Sequence, residues 1–179
     1  TEVQDSGGTA NGGSDTATLS VASTVSVTGV NDAPTLTATG SNPTFTEGGA
    51  AGSLFSGTSI STVEAGQTIE GLTLTVAGLV DGASEILTLD GTAIGLSDGA
   101  SGTTATNSLS YSVSVVGTTA TLSLTGGTLS VGAAEMLIDG ASYQNNSQDP
   151  GTSNRVVTLT EVQDSGGTAN GGSDTATLS

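Results

Sequence analysis

An all-β protein, folded as a two-sheet sandwich of short strands with a single short helix, is what this sequence predicts. Three observations predict it. Apolar residues alternate with small polar ones in many separate runs, which is the period of a strand with one buried face. Gly, Asn and Asp punctuate those runs at the short intervals that turns require. Only one stretch of the chain carries a helical pattern.

The elements follow in order. In residues 15–30, Ala17, Leu19, Val21, Val25 and Val27 all fall at odd positions, which predicts one long half-buried strand. Residues 31–35 read NDAPT, and Pro34 stops strand pairing and holds its predecessor extended, as a linker between domains would. A short strand is expected over 35–39, then a segment over 43–55 containing FTEGG, then a strand over 69–76 with Leu72, Leu74 and Val76 on one face. Further strands are expected over 86–89 and 93–96. Residues 109–115 and 120–124 alternate on either side of Gly117 and predict a hairpin. The stretch SVGAAEMLIDG at 130–140 predicts the helix, with Ser130 as its N-cap, Val131, Ala134, Leu137 and Ile138 on one face and Gly140 closing it. A strand over 155–162, with Val157 and Leu159 inward, completes the set. Asp81, Asp90, Asp98 and Asp139 each precede Gly and read as turn formers.

Residues 1–20 and 160–179 are the same twenty letters, TEVQDSGGTANGGSDTATLS, so the sequence repeats with a period of 160 − 1 = 159 residues. That is too long for a solenoid unit and matches a whole domain of roughly 100 to 200 residues with its own core. The chain reads as one repeat of an array plus a short overlap.

Composition narrows the function. Seventeen carboxylates face one basic residue, Arg155, for a net charge of −16. Nucleic acid is a poor partner for such a surface, because binding a polyphosphate requires basic groups to release its counterions. An anionic membrane surface is disfavoured in the same way, and no apolar run is long enough to insert in a bilayer. A hydrophobic fraction of 34%, arranged in alternating runs, separates the chain from disordered acidic sequences. The chain has no His and no Cys, which removes Ser-His and Cys-His pairs and argues against an enzyme. Carboxylate dyads remain, but two Tyr and two Phe offer little platform for a sugar ring. Arg155 is expected to pair with a carboxylate near its strand. The Thr-rich run at Thr35, Thr37 and Thr39 suits an exposed strand face.

Four segments together resemble a known family. VTGVNDAPTL at 27–36, FTEGG at 45–49, VEAGQTI at 63–69 and the strand ending in VQDSGG at 162–167 are similar to the cadherin-like tandem repeats of giant bacterial surface adhesins, with VNDAP at the junctions. The resemblance covers nearly the whole repeat. It implies a Greek-key sandwich of the cadherin and immunoglobulin kind, exposed at the bacterial cell surface, with calcium (Ca2+) bound at the junctions between repeats. Carried over by position, it implies calcium ligands at Asn31 and Asp32 in the linker, at Glu64 between early strands and at Asp164 closing a late strand, with Glu47 serving the junction at the far end. The sequence departs from the family at Thr62, where a first acid would stand, which leaves the site one carboxylate short. Calcium takes six to eight oxygens, so the loops carrying these residues would have to converge at one end of the sandwich; the same acids also suit solvated turns.

The expected function is a calcium-stiffened structural spacer whose partners are the neighbouring repeats. The alternative is a calcium-dependent module that binds carbohydrate or another cell-surface ligand. The expected organisation is 1–32 as the end of an upstream repeat with its linker, and 33–179 as one repeat without its final strand. That strand corresponds to residues 21–30, so head-to-tail strand exchange between chains is expected, with refutation if 21–30 pairs with 155–162 of its own chain.

Overall fold

The computed structural model describes residues 1–178, and within them the chain is mostly antiparallel sheet with one helix. Its strands are β1 (Glu2–Gln4), β2 (Thr16–Thr18), β3 (Thr35–Gly40), β4 (Gly52–Ser53), β5 (Phe55–Ser61), β6 (Ile69–Ala77), β7 (Glu85–Leu89), β8 (Thr92–Gly95), β9 (Ser101–Thr103), β10 (Ser110–Val116) and β11 (Thr119–Thr125), followed by helix α1 (Val131–Asp139), β12 (Ser142–Asn145), β13 (Val156–Asp164) and β14 (Thr175–Thr177). A six-stranded sheet runs β14-β13-β6-β11-β10-β9 and a four-stranded sheet runs β4-β12-β7-β8. The pairs β3-β5 and β1-β2 stand as separate two-stranded sheets.

One core lies between the two large sheets. Leu72, Leu74 and Val76 of β6 meet Leu122 and Leu124 of β11 and Val162 of β13 on one side, with Leu87, Leu89 and Ile94 from the smaller sheet on the other. The alternation seen at 72–76 is the inward face of β6, which is hydrogen-bonded on both edges, to β11 and β13. The β7-β8 hairpin turns on Asp90 and Gly91, both at positive φ (49° and 75°), the pair that a type I′ turn demands. Helix α1 begins where Ser130 Oγ accepts from the Ala133 N–H and ends at Gly140. It buries Ala134, Leu137 and Ile138. Two of its carboxylates cover β5: Glu135 accepts from the Ile60 N–H at 2.9 Å, and Asp139 accepts from the Thr58 N–H and hydroxyl. Asp139 therefore ends a helix and ties down a strand, where a simple turn role was expected.

The long strand expected over 15–30 does not form. Only Thr16–Thr18 pairs, and residues 19–34 are outside any element. Val21, Val25 and Val27 are 86%, 80% and 88% exposed. Alternation fits a segment for a sheet edge, but a strand forms only where a partner edge supplies its hydrogen bonds. Strands β4, β5, β9 and β12 were not expected from the sequence; all four are short or rich in Ser, Gly and Thr and carry little apolar alternation.

Candidate metal centre

The end of β13 holds an unusual collection of oxygens. Asp164, its last residue, is 1% exposed. Its Oδ1 accepts from the Gly166 N–H at 2.8 Å and from Asn31 Nδ2 at 3.1 Å. Asn31 is tied down from several directions: Nδ2 also donates to the Ser173 carbonyl at 2.7 Å, its own carbonyl accepts from the Ser173 N–H at 2.9 Å, and Oδ1 accepts from Gln67 Nε2 at 2.6 Å. The next residue, Asp32, donates its N–H to Glu64 Oε1 at 3.2 Å. Linker, β5-β6 loop and β13-β14 loop thus meet at one pole.

The local sequence makes this possible in two ways. A Cβ added to Gly166 would stand 2.0 Å from Asn31 Oδ1 and 2.4 Å from Gln67 Nε2, so only glycine leaves room for the linker to dock. Glu64 is aimed by a strained turn. Its N–H donates to the Thr62 carbonyl two residues back at 2.7 Å, with Val63 between them at φ 64°. That is a γ-turn in the positive-φ form, rare for any residue and a true outlier for a β-branched one. Such strain costs about 1–3 kcal/mol and persists where surrounding structure over-determines it.

Three buried oxygens at this pole have no hydrogen-bond partner: Glu64 Oε2, Gln67 Oε1 and Asp164 Oδ2. A buried acceptor left unmatched costs about 1–3 kcal/mol, and two of these belong to carboxylates, those of Glu64 and Asp164. The donor set is all oxygen, which suits a hard cation such as calcium and no thiolate- or imidazole-seeking metal. Among the described residues no three Asp or Glu side chains lie close enough together to hold an ion by themselves. The fit to calcium therefore needs the amide oxygens of Asn31 or Gln67, backbone carbonyls and water beside Glu64 and Asp164, together with the exposed Asp32. Thr62, where a further acid was expected, is buried and donates its hydroxyl to the Glu64 carbonyl at 3.0 Å.

The structure brings Asn31, Asp32, Glu64 and Asp164 together and places Glu47 elsewhere. Glu47 is exposed in the turn that Gly49 N–H to Thr46 carbonyl closes, beside a cleft that Arg155 also lines. Gln67 and Gly166 belong to the site and were not singled out beforehand. Gln67 lies in the EAGQ run three residues after Glu64, and that spacing was the available signal.

A second charged cluster sits at the other end of β13. All five N–H donors of Arg155 are used: Nε and one terminal nitrogen meet both oxygens of Glu85 (3.1 and 2.9 Å), that nitrogen also reaches Asp81 Oδ2 at 2.6 Å, and the other donates to the Gly151 and Ser153 carbonyls. Glu85 is fully buried and accepts further from the Val80 and Asp81 N–H groups and the Tyr143 hydroxyl. Burial pushes the Glu85 carboxyl up, but bonds from Arg155, Val80, Asp81 and Tyr143 outweigh it and hold the group below the usual carboxylate range. Desolvation likewise opposes, and Asn145, Gly151 and Arg155 overcome, at Asp81, which also ends below its ordinary value. Burial and the neighbouring Glu85 charge push the Tyr143 hydroxyl up to about 12. The expected pairing of Arg155 is present, and Asp81, read from sequence as a turn former, is one of its two ion-pair partners.

No known protein family, curated protein or solved structure shows a significant match to the chain.

Proposed function

We propose that this chain is a calcium-binding structural spacer repeat of a large bacterial cell-surface adhesin, a Greek-key sandwich of the cadherin kind in which calcium stiffens the junction between successive repeats. The observation that carries this reading is the convergence of linker residues Asn31 and Asp32 with Glu64, Gln67 and Asp164 around three unpartnered buried oxygens. An ion there would satisfy those oxygens, balance the carboxylate charge and clamp the linker to the domain that follows it. A linker so clamped transmits the orientation of one repeat to the next, which is what a spacer needs. The protein contributes position only. Gly166 admits the linker, the turn at Val63 aims Glu64, and the Gly166 N–H and Asn31 orient Asp164.

Calcium present at 100 times its dissociation constant would stabilise the folded chain by about 2.7 kcal/mol by mass action. Calorimetric titration together with melting curves in calcium and in chelator tests this. Asp32→Ala and Asp164→Ala should weaken the binding while Asp98→Ala leaves it unchanged; superimposed melting curves would remove calcium from the account. Reproducible glycan-array binding by the isolated repeat would favour a carbohydrate-recognition role instead.

A further inference from the structure

The pole where the linker docks holds two neutral amides, Asn31 and Gln67, and their hydrogen bonds give them different parts to play. Asn31 Nδ2 donates to two acceptors, the Asp164 carboxylate at 3.1 Å and the Ser173 carbonyl at 2.7 Å. That fixes which end of the Asn31 amide is nitrogen, because the reverse would set oxygen against oxygen twice. Asn31 Oδ1 then faces Gln67 and accepts from Gln67 Nε2 at 2.6 Å. Gln67 is fixed in turn, since its nitrogen has to meet the Asn31 oxygen and its own oxygen is sent the other way. Gln67 Oε1 is buried there without a donor, as are Glu64 Oε2 and Asp164 Oδ2.

The backbone holds Gln67 in place from both sides. Gly66, at φ 87°, reverses the chain between Glu64 and Gln67. Just beyond, Thr68 and Ser165 exchange two bonds: the Thr68 N–H donates to Ser165 Oγ at 3.0 Å, and the Ser165 N–H donates to the Thr68 carbonyl at 2.9 Å. Thr62, where an acid was expected, turns its hydroxyl to the Glu64 carbonyl at 3.0 Å. The unmatched oxygen that joins those of Glu64 and Asp164 therefore comes from Gln67.

Resting on the calcium reading above, we propose that Gln67 Oε1 is a ligand of the cation, that Asn31 is a positioning residue whose amide holds Gln67 and Asp164, and that the neutral oxygen at 67 keeps the site weak enough to follow external calcium. Ligand charge sets calcium affinity over several decades, and extracellular modules bind on the order of 10⁻⁴ to 10⁻³ M. Glu64 and Asp164 bring charge to the buried part of the site and Gln67 brings none, which places it in that weak range. Occupancy then changes with the calcium outside, and the linker is clamped only where calcium is plentiful.

Isothermal titration of calcium chloride into the 179-residue chain tests the reading and the inference separately. No binding heat and no calcium-dependent rise in Tm in the natural chain would overturn the calcium reading, and the inference with it. Where the natural chain binds, two substitutions that each turn an amide into a carboxylate should act in opposite directions. Gln67→Glu should lower the Kd by about tenfold or more, because it charges an oxygen already facing the ion. Asn31→Asp should raise it by about tenfold or more, because it sets an acceptor against Asp164 and Ser173 and releases Gln67. Ala65→Glu adds the same charge at a nearby exposed position and should move the Kd by about threefold or less. Gln67→Leu deletes the oxygen and should raise the Kd by about tenfold or more. Its melting curve in chelator should stay close to that of the natural chain, since one unmatched acceptor is removed and one, Asn31 Oδ1, is created. The inference is overturned if Gln67→Glu binds no tighter than Ala65→Glu, if Asn31→Asp tightens binding, or if Gln67→Leu binds like the natural chain.

Discussion

Residues 1–20 and 160–179 are one sequence in two environments. The local geometry is the same in both. β1 pairs with β2 in the register of β13 with β14, Gln4 bonds Asp15 as Gln163 bonds Asp174, and Asn11 and Asn170 sit at φ 55° and 56°. Burial differs along the paired strands: Val3 is 51% exposed and Val162 fully buried, and Asp5 is exposed where Asp164 is enclosed. The second copy has β6 along its other edge, the Arg155 cluster at its start and Asn31 docked in its loop. The first has none of these. Turn chemistry and short-range hydrogen bonds therefore fix the hairpin, and only a neighbouring edge turns it into core.

The sharpest way to break the pairing is the same substitution at both sites. Val162→Asp buries an unpaired charge beside β6 and should cost about 4–5 kcal/mol, whereas Val3→Asp should change stability by less than about 0.5 kcal/mol. Urea unfolding of both variants decides it, and equal losses would mean that the first copy also docks.

Removing the anchor at the start of β13 comes next. Arg155→Met leaves Glu85 buried without its counter-charge and should cost about 3–5 kcal/mol. Acid should act on the same cluster. Glu85 and Asp81 are lowered in the folded state, so their contribution is complete above the ordinary carboxylate range near pH 4 and is lost as pH falls through the lower folded values. At the alkaline end Tyr143, raised to about 12, contributes fully below its unfolded value near 10 and loses that contribution as pH rises through 12. Melting temperature against pH, compared between the natural chain and Arg155→Met, should lose its acid limb in the variant.

The calcium reading separates the copies by ligand. Asp164→Asn should abolish most of the calcium-dependent gain of about 2.7 kcal/mol at 100 times the dissociation constant, and Asp5→Asn should keep it. Calcium titration followed by differential scanning calorimetry distinguishes the two. The smallest effect belongs to the glycines. Gly166→Ala must push Asn31 aside and should cost about 1–2 kcal/mol, while Gly7→Ala, whose added Cβ would meet only the Asp5 carboxylate at 3.0 Å, should be close to neutral in the same unfolding assay.

The amino-acid sequence by itself determined every element whose information is local. Period-two alternation placed β6, β10, β11 and β13, Ser130 and Gly140 bounded the helix, Asp90-Gly91 made its turn, and the two identical segments made identical hairpins. The tertiary structure alone decided which alternating segments became strands, because residues 19–30 continue the alternation as well as 69–76 do and yet lie open. It also decided which acids matter. Asp81 and Asp90 both precede Gly, but only Asp81 faces Arg155, and Asp164 acquires Asn31 as a partner from 133 residues away, which Gln67 in turn holds. The physical reason is that backbone and side-chain oxygens from distant segments become neighbours only when sheet edges, with their unpaired N–H and C=O groups, choose their partners.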